Sequence, residues 1–431
     1  MVKLKYFLLN KKKISDVYLL IVIYFFLFVY FVLKPAIFSP DTYSYFHIAI
    51  SRFPVYIIFL RVFNFVFGEF YGTAIVAFQL IFGFISIHLI YKNCVKLLKL
   101  NWLLKAILFI ILVLPYFPPL SVGNNIASEG IAYPLYLLLI SFILDFLFRN
   151  QQRKIYLLSL TLLILSLTRG QFIYIPLLIA ILYFFKIKNN LFNKKHIINV
   201  IILLMLPFIT KTIDSTFKKI VYGFYLPTQY SYVNAITLPL FVSKISDSID
   251  IKDPDHREIF IMSYKRIDSL NLLSSKVGGT AKNKYKVFHD NFPLICNQNI
   301  HDQGKEYYLK IDSTPHMNAV LTERACKEMF PVLLKNNYKE WSLIYFTGMI
   351  HGYKSIFILL FIIFTSIYSA LKLYNRFSLE NGIILLASLL ILSNSMIVAL
   401  ASHSIIRYLF YNYFLGFFII IILIRKFTLK L

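Results

Sequence analysis

Four ionisable residues of this chain, Asp41, Glu129, Arg169 and Arg407, combine the types and positions that chemistry needs. Each stands at the end of an apolar segment, and all four fall on the same side when the loops are alternated along the chain. Charged groups at such positions are costly and tend to mark functional sites. A carboxylate can take a proton from an attacking hydroxyl. Arginines can hold a phosphate through paired, charge-assisted hydrogen bonds. Together they form the set required to move a group from a phosphate to a hydroxyl.

Asp41 follows the first apolar run directly, in Ser-Pro-Asp-Thr-Tyr-Ser-Tyr-Phe. Glu129 ends the segment Gly-Asn-Asn-Ile-Ala-Ser-Glu-Gly, Arg169 sits in the tight turn Leu-Thr-Arg-Gly-Gln, and His403 and Arg407 share Ala-Ser-His-Ser-Ile-Ile-Arg-Tyr. The first loop adds Arg52, Arg61 and Glu69, and its Tyr43 and Tyr45 offer rings on which a sugar can stack. Blander roles compete with these. Asp41 can cap a helix beginning at Thr42, and Glu129 can serve the N-terminus of the fourth span. Arg169 and Arg407 can be snorkelling anchors, although positive charge on that side runs against the orientation bias. Glu69 and Arg61 read as solvated or paired surface groups, and His47 and His88 as structural. No His/Cys spacing resembles a zinc site.

The elements that must position these groups are membrane helices. The 431 residues are 58% hydrophobic and only 15% charged, with a mean hydropathy of +0.69. Ordinary soluble domains are about 25% charged, and runs of this length and apolarity span bilayers. The net charge of +25 would suggest nucleic acid in a soluble protein. Here most lysines outside one polar stretch flank apolar spans, so no nucleic-acid partner is expected. Ten spans are expected, at about 17–37, 71–91, 102–119, 130–148, 155–168, 171–185, 196–213, 354–372, 379–401 and 405–424. The first is too long for a signal-peptide core and lacks an Ala-x-Ala-like cleavage site, so it reads as an uncleaved helix.

One set of loops holds Lys3, Lys5, Lys11, Lys12 and Lys13, then Lys92/Lys96/Lys99, Arg149/Arg153/Lys154, Lys186/Lys188/Lys194/Lys195, Lys372/Arg376 and Arg425/Lys426/Lys430. The other set, 38–70, 116–130, 168–171, 214–350 and 402–406, carries the candidate residues. The positive-inside rule places both termini in the cytosol and the candidate residues outside it. Within the first outer loop, Val55, Ile58, Phe59, Val62, Phe63 and Val66 recur at helical spacing, which predicts an interfacial helix over 53–67 with Arg52, Arg61 and Asn64 off its apolar face. The stretch from Ser215 to Glu340 is too polar to span and long enough for a small, mostly helical extracytoplasmic domain. It divides the chain into 1–214, 215–340 and 341–431. An amphipathic helix is expected at 318–335, followed by an interfacial aromatic run from Trp341 to Tyr353. Cys296 and Cys326 both lie in the polar stretch. In an oxidising compartment they can form a disulfide closing a loop of about 30 residues, worth roughly 3–4 kcal/mol in the chain-entropy model.

The order and sidedness of these features resemble the GT-C-fold membrane glycosyltransferases, which include protein O-mannosyltransferases, lipid A aminoarabinose transferases and many bacterial surface-polysaccharide transferases. The resemblance rests on Asp41 after span one, Phe-Pro-Val-Tyr-Ile-Ile-Phe-Leu at 53–60, and Glu129 in the second outer loop. It rests further on Thr-Arg-Gly at 168–170, a large domain before the last spans, and Ser-His-Ser-Ile-Ile-Arg-Tyr at 402–408. It covers the whole topology through motifs that are individually short. It implies an all-α polytopic protein of the bacterial inner membrane that uses a polyprenyl-phosphate sugar donor and a glycan, lipid or protein acceptor. Asp41 would be the catalytic base and Glu129 a second acid that positions the acceptor or a divalent metal. Arg169 and Arg407, with His403, Arg52 and Arg61 beside them, would contact phosphate. Where the family sometimes has two adjacent acids, this chain has Asp41 followed by Thr42, which counts against a paired-acid or metal-dependent variant. Two other readings compete: a polysaccharide polymerase or ligase, in which arginines outweigh any first-loop acid, and a lipid-linked glycan flippase. The latter calls for internal repeats and midplane charges that the sequence lacks.

Overall fold

The computed structural model of the chain describes residues 16–311, 314 and 316–428. The N-terminal lysines, Lys430 and the pre-proline residues around 312–315 therefore fall partly or wholly outside the described residues. Among the described residues there is no β-strand, only one isolated parallel bridge between Ile37 and Asn125. The first helices are α1 (Asp16–Val32), α2 (Pro40–Phe46), α3 (Pro54–Phe67), α4 (Tyr71–Leu98), α5 (Trp102–Val113) and α6 (Glu129–Phe148). Next come α7 (Lys154–Thr168), α8 (Ile175–Ile187) and α9 (Lys194–Tyr222). The polar region holds α10 (Ser231–Ala235), α11 (Thr237–Val242), α12 (Pro254–Ser269), α13 (Ala281–Asp290), α14 (Phe292–Ile295), α15 (Asp302–Ile311) and α16 (Met317–Asn336). Helices α17 (Tyr338–Tyr353), α18 (Ile356–Asn375), α19 (Leu379–Ala401), α20 (Ile406–Leu409) and α21 (Tyr413–Thr428) follow.

Seven helical stretches are long and apolar enough to cross a membrane: Pro54–Leu98, Glu129–Phe148, Gly170–Ile187, Lys194–Tyr222, Ile356–Asn375, Leu379–Ala401 and Ile406–Arg425. The chain is a multi-pass membrane protein. The expected spans 17–37, 102–119 and 155–168 correspond to the shorter apolar helices Tyr18–Val32, Trp102–Tyr116 and Lys154–Thr168. A helix of 15 residues such as α7 reaches about 22 Å, short of a hydrocarbon core of about 30 Å. The causes are local. Pro115, Pro118 and Pro119 lack the N–H that would continue α5. Helix α7 stops where Arg169 turns extended, at φ −148° and ψ 114°. Early termination thus delivers Arg169 to a helix end rather than to a helix face.

Helix α6 packs between α4 and α7 and is buried along most of its length. Toward the basic ends of α4 and α6, Asn93 donates to Ser141 Oγ at 2.7 Å and Asp145 Oδ1 at 3.2 Å, and Arg149 pairs with Asp145 at 3.1 Å. Helix α3 forms as expected. It buries Pro54, Tyr56, Ile57 and Leu60 against the bundle and leaves Ile58, Val62 and Val66 of the expected apolar face exposed, which suits contact with lipid.

Helix α9 continues past residue 214 to Tyr222, where Gly223 ends it in the left-handed region at φ +84°. Asp214 then accepts the Thr228 backbone N–H at 2.6 Å and its hydroxyl at 2.7 Å, folding the chain back over the helix end. The polar region has a hydrophobic core of its own, with Phe241, Phe260, Ile267, Phe288, Ile295 and Met329, which also takes in Leu359 of α18 and Ala399 of α19. The amphipathic helix expected at 318–335 is α16, and it buries Ala325, Met329 and Leu333 in that core.

The expected disulfide is a point of correction. Cys296 and Cys326 are both buried free thiols. Cys296 is committed elsewhere: its Sγ lies 3.5 Å from Asn234 Oδ1 and 3.7 Å from the Val233 carbonyl, contacts that a thiol donor makes and a disulfide sulfur cannot. Denaturing alkylation without reductant, followed by mass mapping, is expected to label both cysteines.

Candidate functional site

Asp41 belongs to a helix that begins earlier than the sequence suggests. Ser39 is the N-cap of α2 and Pro40 its first residue, with the Ser39 N–H bonded to Thr42 Oγ1 at 3.0 Å. The cap is occupied, so the Asp41 side chain is released for other work. Thr42 Oγ1 also donates to the Ile126 carbonyl at 2.7 Å. Backbone bonds from Ile37 N to Asn124 O (2.8 Å) and from Ile126 N to Ile37 O (2.9 Å) stitch the loop before α2 to the loop before α6. Those bonds bring Asp41 to Glu129, the first residue of α6. Gly170 permits the third approach, because a Cβ there would lie 2.5 Å from the ring of Phe53.

Five side chains from these loops form one charged network. Arg52 pairs with Asp41 Oδ1, and Arg407 Nη2 reaches Asp41 Oδ2 at 2.5 Å. Arg407 also grips Glu129 two-pronged, through Nε to Oε1 and Nη2 to Oε2, the latter at 3.1 Å. Arg169 Nη1 reaches Glu129 Oε1 at 2.6 Å and Ser128 Oγ at 3.2 Å. Arg407 thus bridges the two carboxylates. Three guanidiniums face two carboxylates, which leaves one positive charge unbalanced and favours an anion. Burial alone would push the Asp41 carboxyl up, but Arg52 and Arg407 more than offset it and hold it below the usual carboxylate range.

Exposure separates the members by role. The side chains of Asp41, Arg52 and Arg407 are 23%, 28% and 33% exposed, whereas Glu129 is 4% exposed. The first three, together with Arg169, line an open cavity of about 1530 Å³ between the helix ends and the polar region. Pockets for one drug-sized ligand hold about 300–1,000 Å³, so this cavity has room for two molecules of that size. Glu129 stands behind the arginines as their anchor. Its oxygens are taken by Arg407 and Arg169, so a metal at this carboxylate would have to displace both. Among the described residues no group of three His, Cys, Asp or Glu is arranged to hold a metal ion.

The remaining expected residues divide. Tyr45 lines the cavity with Arg52 stacked 4.8 Å over its ring. His403 lines it too, but its ring stacks on Phe292 at 4.6 Å and its Nδ1 meets the His289 carbonyl at 3.0 Å. Burial, with His289 beside it, pushes its imidazole down to about 4, so it is neutral at neutral pH and does not hold phosphate as a cation. Tyr43 is 58% exposed on the opposite face of α2, and Arg61 is exposed on α3; neither lines the cavity. Tyr43→Ala and Arg61→Ala are expected to change stability by no more than about 0.5 kcal/mol, as read by thermal unfolding.

Several lining residues escaped the sequence reading. Lys211 and Asp214 of α9 line the cavity and share a helical spacing with the buried Lys218, a signal hidden by ending that span at residue 213. Lys218 is 1% exposed, and its ammonium donates to the Arg52 carbonyl at 2.6 Å, bracing the loop that carries Arg52. Tyr222 of the same helix donates to the Ile48 carbonyl. From the polar region, Tyr230, Asn297, His301, Arg324 and Lys327 complete the cavity wall. No family model, no curated protein and no solved structure matches this chain.

Proposed function

We propose that this chain is a membrane glycosyltransferase that moves a sugar from a polyprenyl-phosphate donor to an acceptor hydroxyl, with inversion at the anomeric carbon, in making or modifying a cell-surface glycan. The observation that supports this reading is the convergence of Asp41, Arg52, Arg169 and Arg407, from four separate chain segments, at the wall of one cavity, with Glu129 anchoring two of the arginines from behind. In this reading the cavity faces the extracytoplasmic side of a bacterial inner membrane. The three short helices cross together with the seven long ones, and both termini are cytosolic, as the lysine distribution suggests. Nucleotide sugars are confined to the cytosol, so a donor used outside it must arrive on a lipid.

The step follows from the charges. The acceptor O–H gives its proton to an Asp41 oxygen as the acceptor oxygen bonds to the anomeric carbon. The bond from that carbon to the phosphate oxygen breaks on the opposite face, and its electron pair stays on the phosphate. Arg52 and Arg407, with Arg169 behind them, stabilise that charge through donors already held in place. The apolar rim at Pro207 and Phe208 suits the lipid tail.

Both Asp41 oxygens are held by guanidiniums in the unliganded protein. A donor phosphate competes for the same N–H groups, so donor binding loosens the carboxylate and makes it a better base. The sign for pH follows. Burial still raises the Asp41 pKa, and the lowering contribution of the arginines shrinks once they turn to phosphate. The acid limb of kcat, which reports the donor complex, is therefore expected at higher pH than the acid limb of kcat/KM for donor, which reports the free protein. Steady-state rates across an acidic pH series check this; coincident limbs contradict the loosening.

The direct test is transfer from a panel of polyprenyl-phosphate sugars by the purified protein, wild type against Asp41→Asn. Absence of transfer from every donor, with lipid translocation in reconstituted vesicles, would sink the enzyme reading.

A further inference from the structure

The part of the cavity wall that the polar region supplies contains two backbone irregularities, and they meet. Tyr230 has φ +104° and ψ 2°, in the region that a bulky L-residue avoids. Such strain persists only where surrounding structure imposes it, and it concentrates at functional sites. Across from it, Cys296–His301 forms a π-helical turn, another feature that is rare and frequent at such sites.

The surroundings that hold the two together are identifiable. Glu323 of α16 accepts the backbone N–H groups of Ser231, Tyr232 and Val233 at 2.9, 2.9 and 3.0 Å, fixing the turn that follows Tyr230. Asn234 Nδ2 donates to the Tyr230 carbonyl at 2.8 Å, and Cys296 Sγ meets Asn234 Oδ1 at 3.5 Å, tying the turn to the π-helical segment. The Tyr230 hydroxyl donates to Asn297 Oδ1 at 2.6 Å, and the ring meets His301 edge-on at 4.7 Å. Tyr230, Asn297 and His301 all line the cavity, and none is fully buried.

We propose that Tyr230, Asn297 and His301 form a saccharide-binding subsite that receives the acceptor glycan. An aromatic ring, a planar amide and an imidazole held rigidly beside one another suit a sugar. The ring takes the C–H face, and the amide and imidazole take hydroxyls. A peptide acceptor bound by strand addition would need a sheet edge, and the described residues contain no strand. The cavity places this wall and the Asp41 wall around one space large enough for two substrates. The assignment as acceptor site rests on the transfer reading; saccharide binding itself does not. Glu323 is a positioning residue, acting through the Tyr230 turn.

The test uses the full chain in nanodiscs and saturation-transfer difference NMR with cellobiose, lactose and N,N′-diacetylchitobiose, and with a Ser/Thr-rich peptide as the competing class. Wild type is expected to saturate the C–H protons of at least one disaccharide. Tyr230→Ala and Asn297→Ala are expected to lower that signal by about fivefold or more, the loss of one ring or hydrogen-bond contact. Asn297 is exposed, so its truncation does not threaten folding, and unchanged thermal unfolding verifies this. Arg61→Ala, remote from the wall, is expected to keep the full signal. No saturation of any disaccharide, a signal indifferent to both substitutions, or a Tyr230-dependent signal from the peptide alone overturns the subsite. The two readings fail separately. Variant-sensitive disaccharide binding in a protein that transfers no lipid-linked sugar supports the subsite and removes the transferase. Transfer whose acceptor KM is unmoved by Tyr230→Ala does the reverse.

Discussion

Replacing Asp41 by asparagine is expected to leave a folded protein whose kcat for sugar transfer falls by about 10²–10⁴, the range a general base supplies. Asparagine keeps the size and one acceptor oxygen of aspartate, so the turn held by Ser39 and Thr42 survives. What disappears is the negative charge between Arg52 and Arg407. The two guanidiniums are then freer to take phosphate, so donor KM should stay level or fall while kcat collapses. That split marks a group needed in the transition state rather than for uniform binding. A role confined to positioning the arginines predicts the opposite, a raised donor KM with a modest change in kcat. Initial rates over a series of donor concentrations decide between them. A variant within about tenfold of wild type in kcat would point to a polymerase- or ligase-like reaction carried by the arginines alone.

The cluster was legible because the distribution of lysines sorts loops by side, and sidedness puts Asp41, Glu129, Arg169 and Arg407 at one end of the bundle. Sequence could not say which of them touch each other. That follows from the bond between Ile37 and the Asn124–Ile126 strand of loop, which has no hydrophobic pattern to betray it. The choice between Tyr43 and Tyr45 was available in principle. Tyr45 stands four residues after Asp41 and shares its helix face, whereas Tyr43 stands two residues on and cannot. Recognising this required knowing that α2 is a helix, and seven residues carry too little periodicity to show it. Arg61 and Arg52 are both loop arginines, and sequence alone does not separate them. Only Arg52 precedes the rigid turn into α3, where Lys218 can hold its carbonyl. Prolines after α5 cut back the span expected at 102–119, whereas α7 ends at Thr168, where the span was expected to end; its extended C-cap is what delivers Arg169 to the site.

Glu129 is the residue whose expected role the geometry changes most, and its substitution carries the second large effect. At 4% side-chain exposure it accepts from both Arg407 and Arg169, and among the described residues no other carboxylate is bonded to Arg169. Glu129→Gln would leave the buried Arg169 without its carboxylate and close to Arg407, which keeps only Asp41. Removing one partner of a buried pair costs about 3–5 kcal/mol, which in a chain of this size is a drop in thermal unfolding temperature on the order of 5 °C. Asp41→Asn, at a more exposed position, should cost less stability and more activity. The damage should also be reversible by subtraction. Removing the Arg169 charge with Arg169→Met in the Glu129→Gln background is expected to restore part of the lost stability, with a coupling above about 1 kcal/mol in a double-mutant cycle. Activity should not return with it, since a guanidinium aimed at phosphate is gone. Unfolding temperatures and transfer rates on the four proteins of the cycle give both readouts. A Glu129→Gln protein that is as stable as wild type yet inactive would restore the catalytic acid that the sequence suggested. One that melts early and is partly stabilised by Arg169→Met establishes Glu129 as the counter-ion holding the phosphate-binding arginines in place.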